Sequence, residues 1–161
     1  MWSGRSVAST TGAQDPHDRR RIDRPLRRAI GHRRPFPRSA RFAVVASLNR
    51  DGSPHQAVVW YKVDGDTILF NSGVGRLWPS NLGRDRRVSM IVADGYDYVE
   101  MRGEVEIDED PVRGQEVIAA LARRYRKDKA AAAAQIEEFA KQQRVTFELR
   151  PTRVLEHFSD R

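Results

Sequence analysis

The sequence contains no cysteine. That absence excludes disulfide cross-links and thiolate metal sites. It also lacks any apolar run near the roughly 18 to 20 residues that a membrane-spanning helix requires, and no apolar stretch of signal-peptide type opens it. A cytoplasmic location with no membrane contact is therefore expected. Histidine is scarce: His17, His32, His55 and His157 are the whole set, and no two stand at metal-ligand spacing. No metal is expected, and of the four only His55, at the head of an expected strand, falls near a candidate site. No hydroxyl nucleophile sits in a recognisable elbow, and no Ser/His/Asp constellation is readable. With no protein-borne catalytic group in view, an enzyme built on this chain would leave the hard chemical step to a cofactor.

What is present is basicity, unevenly placed. The formal net charge is +7 over 161 residues. Residues 1–41 hold eleven arginines against Asp15, Asp18 and Asp23, a local balance of +8, which leaves 18 basic and 19 acidic residues for the rest. The folded part is close to neutral and the positive charge belongs to a tail. Residues 1–38 show no hydrophobic periodicity and are rich in Arg, Ser, Pro and Gly. Such a segment buries too little apolar surface to offset its ordering entropy, so an extension without stable structure is expected, with at most a short basic helix over 24–34. An arginine-rich arm of this kind is either a contact for nucleic acid or anionic lipid, or a plain solvated extension. The neutral remainder favours the plain extension, and nucleic acid is not an expected partner.

From residue 41 the pattern becomes that of a β-rich domain over 39–161. FAVVASL (42–48) reads as a strand that ends at the turn Asn49-Arg50-Asp51-Gly52. A second strand spans 54–63, with Val58, Val59 and Trp60 at its apolar centre. Asp64-Gly65-Asp66 is a tight-turn signal, and TILFN (67–71) is a third strand. Further strands are expected over 87–93 and 96–107. In the latter, Tyr98, Glu100, Arg102, Glu104 and Glu106 alternate with Val99, Met101, Val105 and Ile107, so one face is polar. Asp110-Pro111 opens a helix whose apolar stripe is Ile118, Leu121, Ala122 and Tyr125. A second helix spans 129–143, with Ile136, Phe139 and Ala140 as its anchors. RVTFEL (144–149) and residues 154–158 form a last strand, bent at Pro151. Antiparallel hairpins with inserted helices predict a mainly β fold, a small barrel rather than a parallel dinucleotide-binding sheet.

One stretch, NSGVGRLWPSNL (71–82), stands between a strand and a helix that begins near Leu77 or Trp78, with Pro79 in its first turn. A Gly-x-Gly-x-Arg turn at a helix start exposes backbone N–H groups, and Arg76 offers a guanidinium fork to a phosphate. The spacing is not the dinucleotide fingerprint, because no third glycine follows and the unit is not β-α-β. On spacing alone, an anion-binding turn and an ordinary glycine-containing connection are equally compatible with it.

The stretch FAVVASLNRDGSPHQAVVWYKVDGDTILFNSGVGRLWPSNLGRDRRVSMIV, followed by YVEMRGEVEIDEDP and LARRY, resembles the pyridoxamine 5′-phosphate oxidase-like, FMN-binding split-barrel superfamily. More narrowly, it is similar to the branch of coenzyme F420-dependent oxidoreductases. The resemblance covers about residues 40–157 and leaves out the basic tail. It implies a six-stranded antiparallel split β-barrel with inserted helices, and a homodimer with two cofactor sites at its interface. The cofactor it implies is the deazaflavin coenzyme F420, with FMN as the alternative, and the activity is hydride transfer to or from a small unsaturated substrate. A non-catalytic carrier of the same cofactor is the competing class. No counterpart of the pyridoxamine phosphate oxidase C-terminal arginine motif follows Phe158, so activity on pyridoxamine phosphate itself is not expected.

Residue by residue, the resemblance lays the cofactor ring along Val58, Val59 and Trp60. It sets the phosphate over Asn71, Ser72, Gly73 and Arg76, with Leu77, Trp78 and Asn81 from the following helix. Tyr96 or Tyr98 of a second subunit would complete the site. At Trp78 many relatives carry a lysine, so here Arg76 would hold the anion with backbone amides, or Arg84, Arg86 or Arg87 would stand in.

Overall fold

The computed structural model describes residues 40–159. The expected basic extension, its short helix over 24–34, and His17 and His32 lie outside the described residues. Eight strand segments and three helices follow one another: β1 (Ala43–Leu48), β2 (Pro54–Val59), β3 (Tyr61–Asp64), β4 (Thr67–Gly73), α1 (Leu77–Arg84), β5 (Arg87–Asp94), β6 (Asp97–Asp108), α2 (Pro111–Tyr125), α3 (Lys129–Ala140), β7 (Arg144–Leu149) and β8 (Arg153–His157). All strand pairings are antiparallel, in the order β2-β1-β5-β6-β7-β4-β3 with β8 beside β6.

The eight segments are six strands, two of them bent. The expected strand over 54–63 breaks at Trp60: β2 pairs with β1 at one end of the sheet, and β3 pairs with β4 at the other. The covalent chain through Trp60 thus closes the sheet into a barrel where no ladder of hydrogen bonds does. The second bent strand is β7–β8. β7 pairs with β6 from Val105 to Asp108 and β8 pairs with it from Tyr98 to Arg102, so the bend falls beside Pro151 as the sequence suggests. The result is a mainly β, six-stranded antiparallel split barrel.

The break at Trp60 has a local cause in packing. Val59 points into the barrel core, whereas Trp60 belongs to a second apolar cluster under the helices. Its indole stacks on Tyr125 at 5.1 Å and 9°, and meets Phe139 edge-on at 6.1 Å. The ladder interrupted there is replaced by a side chain: the Tyr125 hydroxyl accepts from the Tyr61 N–H at 3.2 Å and donates to the Arg41 carbonyl. Buried backbone groups need such partners, because an unmet one costs about 1–3 kcal/mol.

Strand alternation sorts the remaining side chains. Val45, Phe70, Met90, Met101, Phe147 and Leu149 fill the barrel. On the opposite face of β4, Leu69 packs against Val117, Ile118 and Leu121 of α2, the last two from the stripe legible in the sequence. The α2–α3 hairpin therefore covers the β4–β7 side. Its helices are capped by Asp110, which accepts from the N–H groups of Val112 and Arg113, and by Asp128, which accepts from those of Ala130 and Ala131. In α3 the buried anchor is Ala132, with Phe139 half-buried; Ala140, an expected anchor, is exposed. Helix α1 plugs one mouth of the barrel with Trp78 and Leu82.

Candidate functional site

The expected phosphate turn lies where β4 runs out beside β7 and hands over to α1. Gly73 is opposite Arg144 in the β4–β7 register, and the Val74 N–H is tied to the Gln143 carbonyl at 3.0 Å. Gly75 then adopts φ +90, a left-handed conformation that only glycine takes without strain. Arg76 sits at the N-cap of α1, and no side chain caps that end. An α-helix leaves its first N–H groups without intrahelical partners. Here Pro79 removes one of these donors, and the N–H groups of Leu77 and Trp78 remain at a positive helix end. Val74, Arg76 and Leu77 are exposed around it, Leu77 at 55%.

Beneath this turn lies a group that sequence reasoning missed. Arg144 is only 4% exposed. Its Nε donates to Asn71 Oδ1 at 2.8 Å, its Nη1 donates to Gln142 Oε1 at 2.7 Å, and its guanidinium lies over the Phe139 ring at 4.6 Å. Among the described residues no carboxylate pairs with it. Burial, and after it the charge of Arg76, pull its pKa down to about 10, so it stays protonated at neutral pH. A Cβ placed on Gly73 would lie 3.7 Å from Arg144 Nη1 and 3.2 Å from Gln142 Oε1, so the bare glycine makes room for the pair.

The sequence-predicted site residues divide by direction. Val58, 68% exposed, faces outward on β2; Val59 faces the core; Trp60 lies under the helices. Asn71 is buried and its amide donates to the Gly114 carbonyl and to Thr146 Oγ1, each at 3.1 Å. Ser72 is buried, its hydroxyl donating to the Gly73 carbonyl at 3.1 Å. Trp78, 5% exposed, packs in the barrel against Phe147 at 5.0 Å and Phe70 at 5.8 Å. Asn81, also buried, donates to Asn49 Oδ1 at 2.9 Å and to Ser47 Oγ at 3.3 Å, joining α1 to the β1–β2 turn. Gly73, Arg76 and Leu77 thus lie on one continuous turn. Trp60 reaches that turn through its edge contact with Phe139, which in turn underlies Arg144.

Of the alternative basic residues, Arg84 and Arg87 are engaged elsewhere, and Arg86 is exposed. Arg84 donates to the Leu48 carbonyl and to Asn81 Oδ1. Arg87 forks onto Asp85 at 2.6 and 2.9 Å, and its guanidinium holds that carboxyl down to about 2. His55 lies on β2, paired in register with Ser47. Among the described residues no helix is long and apolar enough to cross a membrane.

The sequence pattern of pyridoxamine 5′-phosphate oxidase matches residues 31–158. The chain belongs to that family. No curated protein matches it. Among solved structures it is similar to an F420 reductase at 27% identity, with a TM-score of 0.57 over 73% of this chain and 90% of that one. A conserved hypothetical protein of Mycobacterium tuberculosis is 22% identical, with a TM-score of 0.66 over 93% of this chain and 98% of that one. A pyridoxamine 5′-phosphate oxidase-related, FMN binding protein of Nostoc punctiforme is 13% identical, with a TM-score of 0.51 over 71% and 72%. The last two likenesses concern the fold alone. Together these place the chain in the pyridoxamine-phosphate-oxidase-like split-barrel superfamily, whose members include oxidoreductases.

Proposed function

We propose that this chain is an oxidoreductase that uses coenzyme F420 to transfer a hydride to or from a small unsaturated substrate. The observation that carries the reading is the uncapped turn at 73–77. Its backbone donors, its positive helix end and Arg76 suit the phosphate-bearing end of a flavin-type cofactor. The 27% identity to an F420 reductase favours the deazaflavin over FMN. A deazaflavin, when bound, supplies a hydride carrier that resists one-electron and oxygen chemistry.

The chain's own residues hold and orient. Gly73 and Gly75 let the backbone approach the phosphate closely, and Arg76 pairs with its charge. Ser72 and Asn71 act from behind, fixing the end of β4 through their hydrogen bonds to the Gly73 and Gly114 carbonyls. Trp78 and Asn81 anchor α1 so that its donors keep their place. Arg76→Ala is expected to cost about 1.5–3 kcal/mol of cofactor binding, as for a hydrogen bond to a charged group. Titrating F420 and FMN side by side into wild type and variant checks this; equal affinities would remove Arg76 from the site. Tighter binding of FMN than of F420 to wild type would reassign the cofactor.

The second element of the proposal is a homodimer. On the outer face of the sheet, cross-strand register lines up Val58, Val44 and Ile91, then Glu100 and Leu155. Glu100 is held by Arg102 at 2.7 Å and by Ser89 at 3.1 Å, so the carboxylate within this apolar row is already satisfied. Such a stripe, with Phe42 also exposed, suits burial against a second copy. Val58→Asp is expected to shift sedimentation from dimer to monomer. A wild-type chain that sediments as a monomer at all concentrations refutes the pairing.

A further inference from the structure

We propose that Arg144 is the second cation of the turn at 73–77, so that a phosphate group there is held between two guanidinium groups, Arg76 from the surface and Arg144 from below. This rests on the cofactor reading for the molecule that carries the phosphate, but not for the anion itself.

Three observations outside the turn carry it. First, Arg144 is built into place: Asn71 Oδ1 and Gln142 Oε1 take its Nε and Nη1, and Phe139 supports its plane. Nothing in the described residues engages Nη2. Second, its partners are all neutral. A buried guanidinium without a counter-charge bears a large desolvation cost, and chains ordinarily answer it with a carboxylate. Third, the charge of Arg76 is of the same sign and disfavours the protonated form of Arg144. An anion bound between two such arginines relieves both. The register supports the geometry: Gly73, the first glycine of the turn, is opposite Arg144, and a Cβ there would press on Gln142 Oε1, the group that holds Nη1, at 3.2 Å.

The chemistry of the pair selects the ligand. Guanidinium forks match the paired oxygens of a phosphate, and the free N–H groups of Leu77 and Trp78 suit its remaining oxygens. A phosphate ester fits this set, whereas a neutral ribityl or sugar tail would leave both cations unanswered.

The test uses the full chain. Thermal unfolding is followed in phosphate and in chloride at matched ionic strength and pH, for wild type, Arg144→Lys, Arg144→Gln and the exposed control Arg123→Ala. Phosphate is expected to raise the Tm of wild type and of Arg123→Ala most above their chloride values, to raise that of Arg144→Lys less, and to raise that of Arg144→Gln least. Equal phosphate shifts in wild type and Arg144→Gln overturn the role of Arg144, and no shift in wild type overturns the anion site. If Arg144→Gln does not fold, the comparison of wild type with Arg144→Lys decides by the same criterion. A second measurement needs no variant: FMN is expected to bind wild type about tenfold or more tighter than riboflavin, the factor of one charge-assisted hydrogen bond. Equal binding of the two refutes the proposal. A phosphate shift that depends on Arg144, in a protein that binds neither FMN nor F420, would instead leave the anion site standing and remove the redox cofactor.

Discussion

Replacing Trp78 with lysine is expected to unfold the barrel rather than to strengthen anion binding. The family resemblance implies a lysine at this place, so the exchange looks like the restoration of a phosphate ligand. The packing says otherwise. The indole is one of three aromatic rings, with Phe70 and Phe147, at the mouth that α1 plugs. Removing a buried tryptophan side chain costs about 3–5 kcal/mol. An ammonium group left among those rings would have to lose its proton or drag its stem to the surface, and either adds to the loss. Position 78 is also in the first turn of a helix, where a positive charge is disfavoured. Against a typical domain stability of about 5–15 kcal/mol, the sum consumes most of the reserve. Urea unfolding monitored by circular dichroism measures it, and a midpoint equal to that of wild type would show that the plug carries no such weight.

The second large effect is expected at Gly114. A Cβ there would stand 2.8 Å from the Arg144 carbonyl oxygen, closer than Cβ atoms approach backbone, and a tight 3.1 Å from its Cβ. Glycine ordinarily weakens a helix interior by about 1 kcal/mol relative to alanine. In an open helix its replacement would therefore stabilise. Here closeness wins: α2 must lift from β7, and overpacking of this kind costs about 1–3 kcal/mol. Gly114→Val, with two further carbons, is expected at the upper end, about 3 kcal/mol. The displacement also takes the Gly114 carbonyl away from Asn71, so the urea midpoint should fall while the m value stays put. An unchanged or higher midpoint would mean that the helix can move outward at no cost.

Most of the fold was legible because its signals are local. The Asp-Gly turns, the alternation along β6 and the Asp110 cap are each decided within a few residues. The kink at Trp60 was not, since VVWYKV continues an apolar strand pattern without any break residue. What bends it is the pull of Tyr125 and Phe139, which lie more than sixty residues further on. The burial of Trp78 was likewise not legible, because its partners come from β4 and β7 and sequence spacing cannot show them. Arg144 was read as the polar first residue of a strand. It is held by Asn71, 73 residues earlier, and lies opposite Gly73, and partners so distant leave no trace beside the arginine itself. The turn at 71–78 was legible as a place, but which of its side chains face outward was settled only by packing: Arg76 and Leu77 do, Trp78 does not.

The position of β7 between β4 and β6 bears on how the chain is made. β4 meets β7 through pairs such as Ile68 with Leu149, and β6 meets it through Val105 with that same leucine. A chain growing from its N-terminus therefore completes β1 to β6, with the β1–β2, β3–β4 and β5–β6 hairpins, well before the strand that joins β4 to β6 exists. Until residues 144–149 emerge, β4 and the far end of β6 present unsatisfied edges, the form of surface that recruits strands from neighbouring molecules. Closing pairs so distant in sequence also slows folding. The last strand is thus the latch of the barrel, and nascent or C-terminally truncated chains are the species expected to aggregate.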